Sequence, residues 1–205
     1  MIINAPGDIE KRSMEIIESE LKVNIPEENK AVVKRVIHCT ADFDYAENLA
    51  FSEGAVSKAI EALKAGCHIY TDTQMARSGI NKPAAAKLGC ELHNFISDPD
   101  VAEIAKERGC TRAVASIEKM ASLNVPTIYV IGNAPTALLR LKELIAEGKA
   151  DPKLVIGVPV GFVNILESKE AIMQTNVPYI VAKGRKGGSN VAAAIVNALM
   201  YQITR

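Results

Sequence analysis

The first candidate for chemistry is a histidine that follows an arginine near the end of an amphipathic stretch. His38 comes three residues after Arg35, so the two side chains lie on one face of a predicted helix, and Asp42 and Asp44 follow closely. A neighbouring cation lowers the proton affinity of an imidazole, whereas a helix C-terminus and nearby carboxylates raise it. Such opposed influences suit a group that exchanges a proton near neutral pH. On spacing alone, an incidental surface or capping histidine is the simpler interpretation.

The second candidate is the glycine-rich, basic loop Gly184–Ser189, which precedes the last predicted helix. Gly187 and Gly188 allow the backbone to approach a ligand closely, and the N-terminus of the following helix offers unpaired N–H groups. Arg185 and its neighbouring lysine add positive charge, and no acidic residue follows Glu170. The loop suits a carboxylate or phosphate, although a loop that only turns the chain explains it equally well. Its spacing matches neither a P-loop nor G-x-G-x-x-G, so a nucleotide is not specifically indicated.

Metal ligands and covalent nucleophiles are poorly represented. Asp42, Asp44 and Glu47 form a carboxylate cluster, but no His or Cys completes a zinc spacing and the EF-hand loop is absent, so a capping or solvated acidic turn is the better interpretation. His68 and His93 fall in or beside predicted strands, where a histidine is more often a hydrogen-bonded core residue than a ligand. There is no G-x-S-x-G elbow. We therefore predict no metal site and no covalent catalysis.

The composition argues against several classes of protein. The chain has 205 residues, with 24 basic and 24 acidic side chains, whereas proteins that mainly bind nucleic acid usually carry a strongly basic domain; we expect no nucleic acid partner. The longest apolar run, Leu154–Val163, contains glycine and proline and is shorter than the roughly 18 residues of a membrane span, so we expect no membrane partner. Widely spaced cysteines and an N-terminal apolar run too short for a signal peptide predict a cytoplasmic protein with reduced thiols.

Short apolar runs alternate with longer amphipathic stretches, which is typical of βα units around a parallel sheet. We predict an α/β fold in a single domain, residues 1–205, with two helices before a sheet of five parallel strands. In such sheets ligands bind outside the carboxyl ends of the strands, so the loops 72–75, 132–136, 159–162 and 184–189 are the ones to examine. The predicted strands are Cys67–Thr71, Glu91–Ile96, Thr127–Ile131, Leu154–Val158 and Tyr179–Lys183; the predicted helices cover 8–21, 27–40, 52–66, 135–148 and 189–200, with one more starting at Asp98.

Six segments carry a more specific signal: Arg35–Asn48, Asp72–Met75, Ile131–Leu138, Gly157–Val163, Glu167–Lys169 and Gly184–Ser189. In sequence and order they closely resemble the precorrin-8 methylmutase family of corrinoid biosynthesis, from about Ile9 to Met200. The resemblance implies an isomerase that moves a methyl group from carbon 11 to carbon 12 of a modified tetrapyrrole. It also implies a flavodoxin-like, three-layer α/β/α fold, a homodimer, a tetrapyrrole (corrinoid) substrate and product as partners, and no dissociable cofactor.

The resemblance also assigns roles to individual residues. His38 matches the family's catalytic histidine, which would protonate the ring system as the methyl group migrates. Ser13 and Arg35 match a substrate-contacting serine and arginine, and Arg112 matches the arginine of a Thr-Arg pair. A macrocycle with many carboxylates needs arginine forks and backbone donors around its rim. The expected substrate-binding residues are therefore Ser13, Arg35, Arg112, Arg185, Gly187 and Gly188.

The segment Ala41–Tyr45 is similar to members that act on the cobalt-containing intermediate, cobalt-precorrin-8, in which case cobalt arrives inside the substrate and needs no protein ligands. The metal-free precorrin-8X is the alternative substrate. Two other hypotheses stay open: a corrinoid-binding or carrier protein without catalysis, and a flavodoxin-like binder of a phosphorylated ligand at the Gly187-Gly188 loop.

Overall fold

A computed structural model describes residues 4–205; the first three residues, part of the N-terminal run judged too short for a signal peptide, lie outside the described residues. In chain order the elements are α1 (Pro6–Glu20), α2 (Glu27–Thr40), α3 (Tyr45–Asn48), β1 (Leu49–Phe51), α4 (Ala55–Lys64), β2 (His68–Thr71), α5 (Gln74–Gly79), α6 (Lys82–Lys87), β3 (Leu92–His93), α7 (Pro99–Arg108), α8 (Arg112–Ser122), β4 (Thr127–Ile131), α9 (Pro135–Ala146), β5 (Pro152–Gly157), α10 (Ile165–Met173), β6 (Tyr179–Ala182) and α11 (Ser189–Thr204).

The described strands form one sheet in the order β1-β6-β5-β4-β2-β3. Strands β2 to β6 pair in parallel, and β1 pairs with β6 in the antiparallel direction. Counted alone, the parallel strands follow the flavodoxin-like order, in which the direction of winding reverses between the first and third of them, here β2 and β4. The predicted α/β fold class is therefore confirmed, and the switch point between β2 and β4 marks where a ligand is expected.

All five predicted strands are present, but the sheet differs at both edges. At one edge β1, a three-residue strand, was not predicted, because so short a segment carries no readable period. At the other edge β3 has two residues instead of the predicted six, since the side chain of Asn94 donates to the Thr71 carbonyl (2.7 Å) and the strand ladder ends there. The predicted helices are also present. The prediction omitted α3, α5, α6, α8 and α10.

Alternate residues of the central strands face two separate apolar layers. On β4, Ile128 and Val130 face the layer formed by α2, α4, α5, α6 and α11. Tyr129 and Ile131 face the layer formed by α8, α9 and α10. Helix α11 is apolar on most sides because it lies between the sheet and α2. Both faces of the sheet are therefore covered by helices, so a ligand is expected beyond the carboxyl ends of the strands.

No helix in the part of the chain described here combines the length and the apolar character that crossing a lipid bilayer requires.

A buried carboxylate joins the two sides of the switch point. Asp72 directly follows β2, and its oxygens accept hydrogen bonds from the backbone N–H groups of Gly132 (2.9 Å), Asn133 (2.8 Å) and Ala134 (2.7 Å), which directly follow β4. Burial raises the pKa of this carboxyl, and the three N–H donors oppose that rise. Asp72 therefore holds the β4 loop in a defined conformation.

A buried lysine holds the basic loop in a comparable way. The Lys169 ammonium group, on α10, donates to the backbone carbonyls of Gly184 (2.7 Å) and Lys186 (2.9 Å). Only 1% of this residue is exposed, and burial lowers its pKa to about 8. The conformation of the loop that follows β6 thus depends on a side chain from the preceding helix.

Replacing Asp72 by Ala should destabilise the protein by roughly 2–5 kcal/mol, because three buried N–H groups lose their acceptor. Urea unfolding monitored by circular dichroism would measure the change. The matched control is Asp151→Ala, which removes an exposed carboxylate paired only with Lys153 and should change stability by less than about 0.5 kcal/mol. Equal stabilities of the two variants would show that Asp72 does not hold the loop.

Lys169→Met should alter the pH dependence of stability. The folded-state pKa of about 8 lies below the ordinary value of 10.5, so the unfolded chain binds more protons between these values. The unfolding free energy of the wild type should therefore rise relative to that of Lys169→Met as the pH increases from 8 to 10, by at most about 1.4 kcal/mol per pH unit. Below about pH 7, where the lysine is protonated in both states, the difference should be constant. Urea unfolding at pH 7, 8, 9 and 10 tests this; a constant difference throughout would contradict it.

Candidate active site

The loops that follow β2, β4, β5 and β6 meet at the carboxyl edge of the sheet. The hydroxyl groups of Thr73 and Ser189 lie 2.8 Å apart and hydrogen-bond, which joins the β2 loop to the start of α11. A Cβ atom on Gly132 would lie 2.9 Å from the Cα atom of Ser189, so only glycine allows the β4 loop to pack this closely. These contacts bring three of the four loops examined in the sequence into one surface.

His38 lies in the last turn of α2 and is exposed. The next residue, Cys39, has its sulfur 3.9 Å from the carbonyl oxygen of Asn190, which places the end of α2 beside the start of α11. Helix α2 ends at Thr40, and the C-cap residue Ala41 adopts a left-handed conformation. Among residues 4–205 the His38 side chain has no hydrogen-bond partner, so its ring is available to a ligand bound at this edge.

The acidic turn after His38 and the basic loop before α11 bind each other. The Lys186 ammonium group lies 2.7 Å from an oxygen of Asp42 and 2.6 Å from an oxygen of Asp44. The hydrogen bond from Lys186 lowers the pKa of Asp42, and the two carboxylates raise the pKa of Lys186. The acidic turn thus pairs with Lys186. The neighbouring Arg185 is in neither of these ion pairs and remains for a substrate carboxylate.

The packing of the basic loop explains why residues 187 and 188 are glycines. A Cβ atom on Gly187 would lie 2.2 Å from the carbonyl oxygen of Val158, and the N–H of Gly188 donates to that same oxygen (2.8 Å). The loop therefore crosses the end of β5 at a distance that only glycine permits. The N–H of Gly188 therefore already has a hydrogen-bond acceptor within the protein, the carbonyl oxygen of Val158.

Two of the predicted arginines lie near the loops of this edge. The Arg185 guanidinium is 5.5 Å from the centre of the Phe162 ring, which follows β5. Arg112 is the exposed first residue of α8, and the hydroxyl groups of Thr111 and Thr136 lie 3.0 Å apart, so α8 starts beside the start of α9. Arg185 thus lies in the loop that follows β6, and Arg112 lies at the start of α8, which contacts the start of α9.

Ser13 and Arg35 lie among the helices that cover one face. The Ser13 hydroxyl donates to the carbonyl of Ile9 (2.8 Å) within α1. The Arg35 guanidinium pairs with Glu10 (2.5 Å) and lies 5.3 Å from the centre of the Tyr201 ring. The ion pair lowers the pKa of Glu10. The described contacts of these two residues are therefore with α1 and the end of α11, rather than with the carboxyl-edge loops.

The candidate site has an apolar component that the sequence prediction did not single out. Three large apolar residues shortly after β2 and β5 are exposed: Met75 in the first turn of α5, and Phe162 and Val163 in the loop after β5, with Phe162 81% exposed. Three exposed apolar residues at the ligand-binding edge are a readable signal, because large exposed apolar groups often mark a binding site. Together with Arg185 they form a surface suited to a flat apolar ligand with an acidic rim.

Ligands for a metal ion converge elsewhere. Within the described chain, His68, Glu91 and His93 place one ligating atom each within 4.8 Å of one another; His68 begins β2, Glu91 directly precedes β3 and His93 ends it. His68 Nδ1 and His93 Nε2 are 2.7 Å apart, which confirms that these histidines are hydrogen-bonded. Burial lowers the pKa of His93. His68 lies at the end of β2 opposite to the candidate site.

Comparisons with known proteins identify the family of this chain. The family described as precorrin-8X methylmutase matches residues 8–202. The cobalt-precorrin-8 methylmutase of Leptospira interrogans is 46% identical over 97% of this chain and 94% of that protein. The precorrin-8X methylmutase of Pseudomonas aeruginosa is 39% identical over 93% of each chain.

The fold agrees as well. The structure described as precorrin-8X methyl mutase from Thermus thermophilus superposes with a TM-score of 0.88 at 39% identity, covering 94% of this chain and 96% of that one. Sequence and fold thus match over nearly the full length of both compared chains. This chain belongs to the precorrin-8X methylmutase family and is a methylmutase, an isomerase that moves a methyl group within its substrate.

Proposed function

We propose that this enzyme converts cobalt-precorrin-8 to cobyrinate by moving a methyl group from carbon 11 to carbon 12, with His38 as proton donor and acceptor. In a chain that belongs to a methylmutase family, the observation that carries the proposal is the position of His38. The ring is exposed at the carboxyl edge, beside the start of α11 and the apolar loops. The other two histidines lie within the sheet: His68 begins β2, and His93 ends β3 with its ring hydrogen-bonded to His68.

Proton transfer accounts for the role of His38 in an isomerisation. Migration of the methyl group rearranges the double bonds of the macrocycle, and a proton placed on the ring system stabilises the charge that develops. His38 donates this proton and takes one back when conjugation is restored, so substrate and product remain isomers. The reaction needs no external nucleophile, and placement of the substrate with one proton donor supplies the catalysis.

Binding of the macrocycle uses both kinds of surface at the edge. Met75, Phe162 and Val163 cover part of its flat apolar face, while Arg185 and Arg112 meet carboxylates on its rim. Arg185 also lies over Phe162 and so orients that ring. Ser13 and Arg35 also contact the substrate. For this contact, Arg35 exchanges Glu10 for a substrate carboxylate.

Cobalt belongs to the proposed substrate, and the enzyme uses no dissociable cofactor. The support for cobalt is the level of identity: the relative from Salmonella typhimurium described as cobalt-precorrin-8 methylmutase is 46% identical, whereas the Pseudomonas aeruginosa relative described as precorrin-8X methylmutase is 39% identical. We further propose that the enzyme is a cytoplasmic homodimer. The exposed apolar residues at the carboxyl edge support an assembly in which a second copy helps to cover the ring.

The purified protein should convert cobalt-precorrin-8 to cobyrinate without added cofactor, because the methyl shift is intramolecular. Absorbance spectra and chromatography of the products measure the conversion, and metal-free precorrin-8X assayed in parallel tests metal preference. A coloured complex with product but no turnover of active substrate would favour a corrinoid carrier. Preferential binding of flavin mononucleotide would favour the phosphorylated-ligand hypothesis.

His38→Ala should lower kcat by about 10²-fold or more, the range expected for a general acid–base group, while the dissociation constant for cobyrinate changes less than about threefold. Stopped-flow absorbance gives kcat, and fluorescence titration gives the dissociation constant. Cys39→Ala is the matched control, because it alters the adjacent exposed residue and should leave kcat close to that of the wild type. Unchanged turnover in His38→Ala would remove its proposed role.

A further inference from the structure

We propose that His68, Glu91 and His93 bind one divalent transition-metal ion of the zinc or cobalt class, which joins the edge strand β3 to β2. This site is separate from the candidate active site. His68 begins β2 and Asp72 follows it, so the two ends are about 13 Å apart along the strand. A metal ion at this site would therefore be distinct from cobalt carried by the substrate.

The sheet register places the three side chains together. Ile69 pairs with Leu92 and Tyr70 pairs with His93, so His68 lies opposite Glu91, which directly precedes β3. Because side chains alternate along a strand, Glu91 and His93 point to the same face, and so does His68. Ligands on paired strands are held more rigidly than ligands on loops.

The distances between ligand atoms are close to those of a metal site. Nδ1 of His68 is 2.7 Å from Nε2 of His93, and the nearer Glu91 oxygen is 3.8 Å from the first and 3.6 Å from the second. Two ligands on a tetrahedral zinc ion with bonds near 2.0–2.1 Å lie about 3.3 Å apart. A small rotation of each side chain would bring all three atoms to this separation.

The chemistry of the three ligands selects the class of ion. Two imidazoles and one carboxylate suit Zn²⁺ or Co²⁺, whereas Mg²⁺ and Ca²⁺ prefer sites made only of oxygen ligands. In the hydrogen-bonded pair one of the two facing ring nitrogens carries a proton and donates the hydrogen bond, and the other accepts it. Moving that proton to the outer nitrogen of the same ring frees both facing nitrogens for the ion, without changing the charge of either ring.

Solvent access allows the ion to enter and leaves room for water as a further ligand. The side chains of His68 and His93 are 24% and 18% exposed, and that of Glu91 is 69% exposed. Three protein ligands with a water molecule in the fourth position form a known type of zinc coordination. The ion would add contacts to β3, whose pairing with β2 covers only two register positions.

Co²⁺ titration of the substrate-free protein tests the proposal, because tetrahedral Co²⁺ has visible absorption bands that the aqueous ion lacks. One equivalent should produce these bands, and Zn²⁺ should displace Co²⁺ and raise the melting temperature by several degrees. Isothermal titration with Zn²⁺ gives the stoichiometry and affinity. Binding of less than one equivalent by the wild type, at metal concentrations up to 1 mM, would overturn the proposal.

Variants locate the site. His93→Gln and Glu91→Gln should each weaken Zn²⁺ binding at least tenfold and abolish the rise in melting temperature. Glu91 is largely exposed, so its substitution tests the site even where His93→Gln fails to fold. His38→Gln is the matched control, since it removes the histidine of the opposite edge and should bind Zn²⁺ like the wild type. If Glu91→Gln and His93→Gln both bound Zn²⁺ as tightly as the wild type, the ion would lie elsewhere, which would contradict the proposal.

Discussion

The carboxylate of Asp72 connects the two strands between which the sheet reverses its winding. Its three hydrogen bonds to the backbone of Gly132, Asn133 and Ala134 join the end of β2 to the end of β4. A buried carboxylate is costly unless it is fully hydrogen-bonded, so this interaction requires the β4 loop to adopt one conformation. The start of α11 packs against that loop at Gly132, and the end of α2, with His38, lies beside α11. The position of the proposed proton donor therefore depends on the switch point.

A second set of polar contacts determines what charge the site presents. The buried Lys169 donates hydrogen bonds to backbone carbonyls of the basic loop. At the surface, Asp42 and Asp44 form ion pairs with Lys186 of the same loop. Pairing of Lys186 with two carboxylates reduces the positive charge of the loop, and Arg185 remains over Phe162. The resulting surface combines apolar side chains with a few cations, which suits a macrocycle that is apolar on its faces and acidic at its rim.

Much of the fold could be predicted from local signals. The apolar runs of β4 and β5 and the spacing and caps of α2 and α9 act between near neighbours, so they are readable in the sequence. The prediction was incomplete where an element is short, as with β1, or where a tertiary contact ends it, as Asn94 ends β3. Helix α8 was omitted although Thr111 is an N-cap residue and its apolar residues have helical spacing.

For the site, the sequence by itself determined the family, the loops at the ligand-binding edge and the candidate residues, because motifs of neighbouring residues carry these. Only the tertiary structure decided how the candidates are used. It pairs Asp42 with Lys186, 144 residues away, turns Arg35 toward Glu10, and brings His68 against His93. Such contacts depend on strand order, register and helix packing, and these arise from the free energy of the whole folded chain rather than from any local segment.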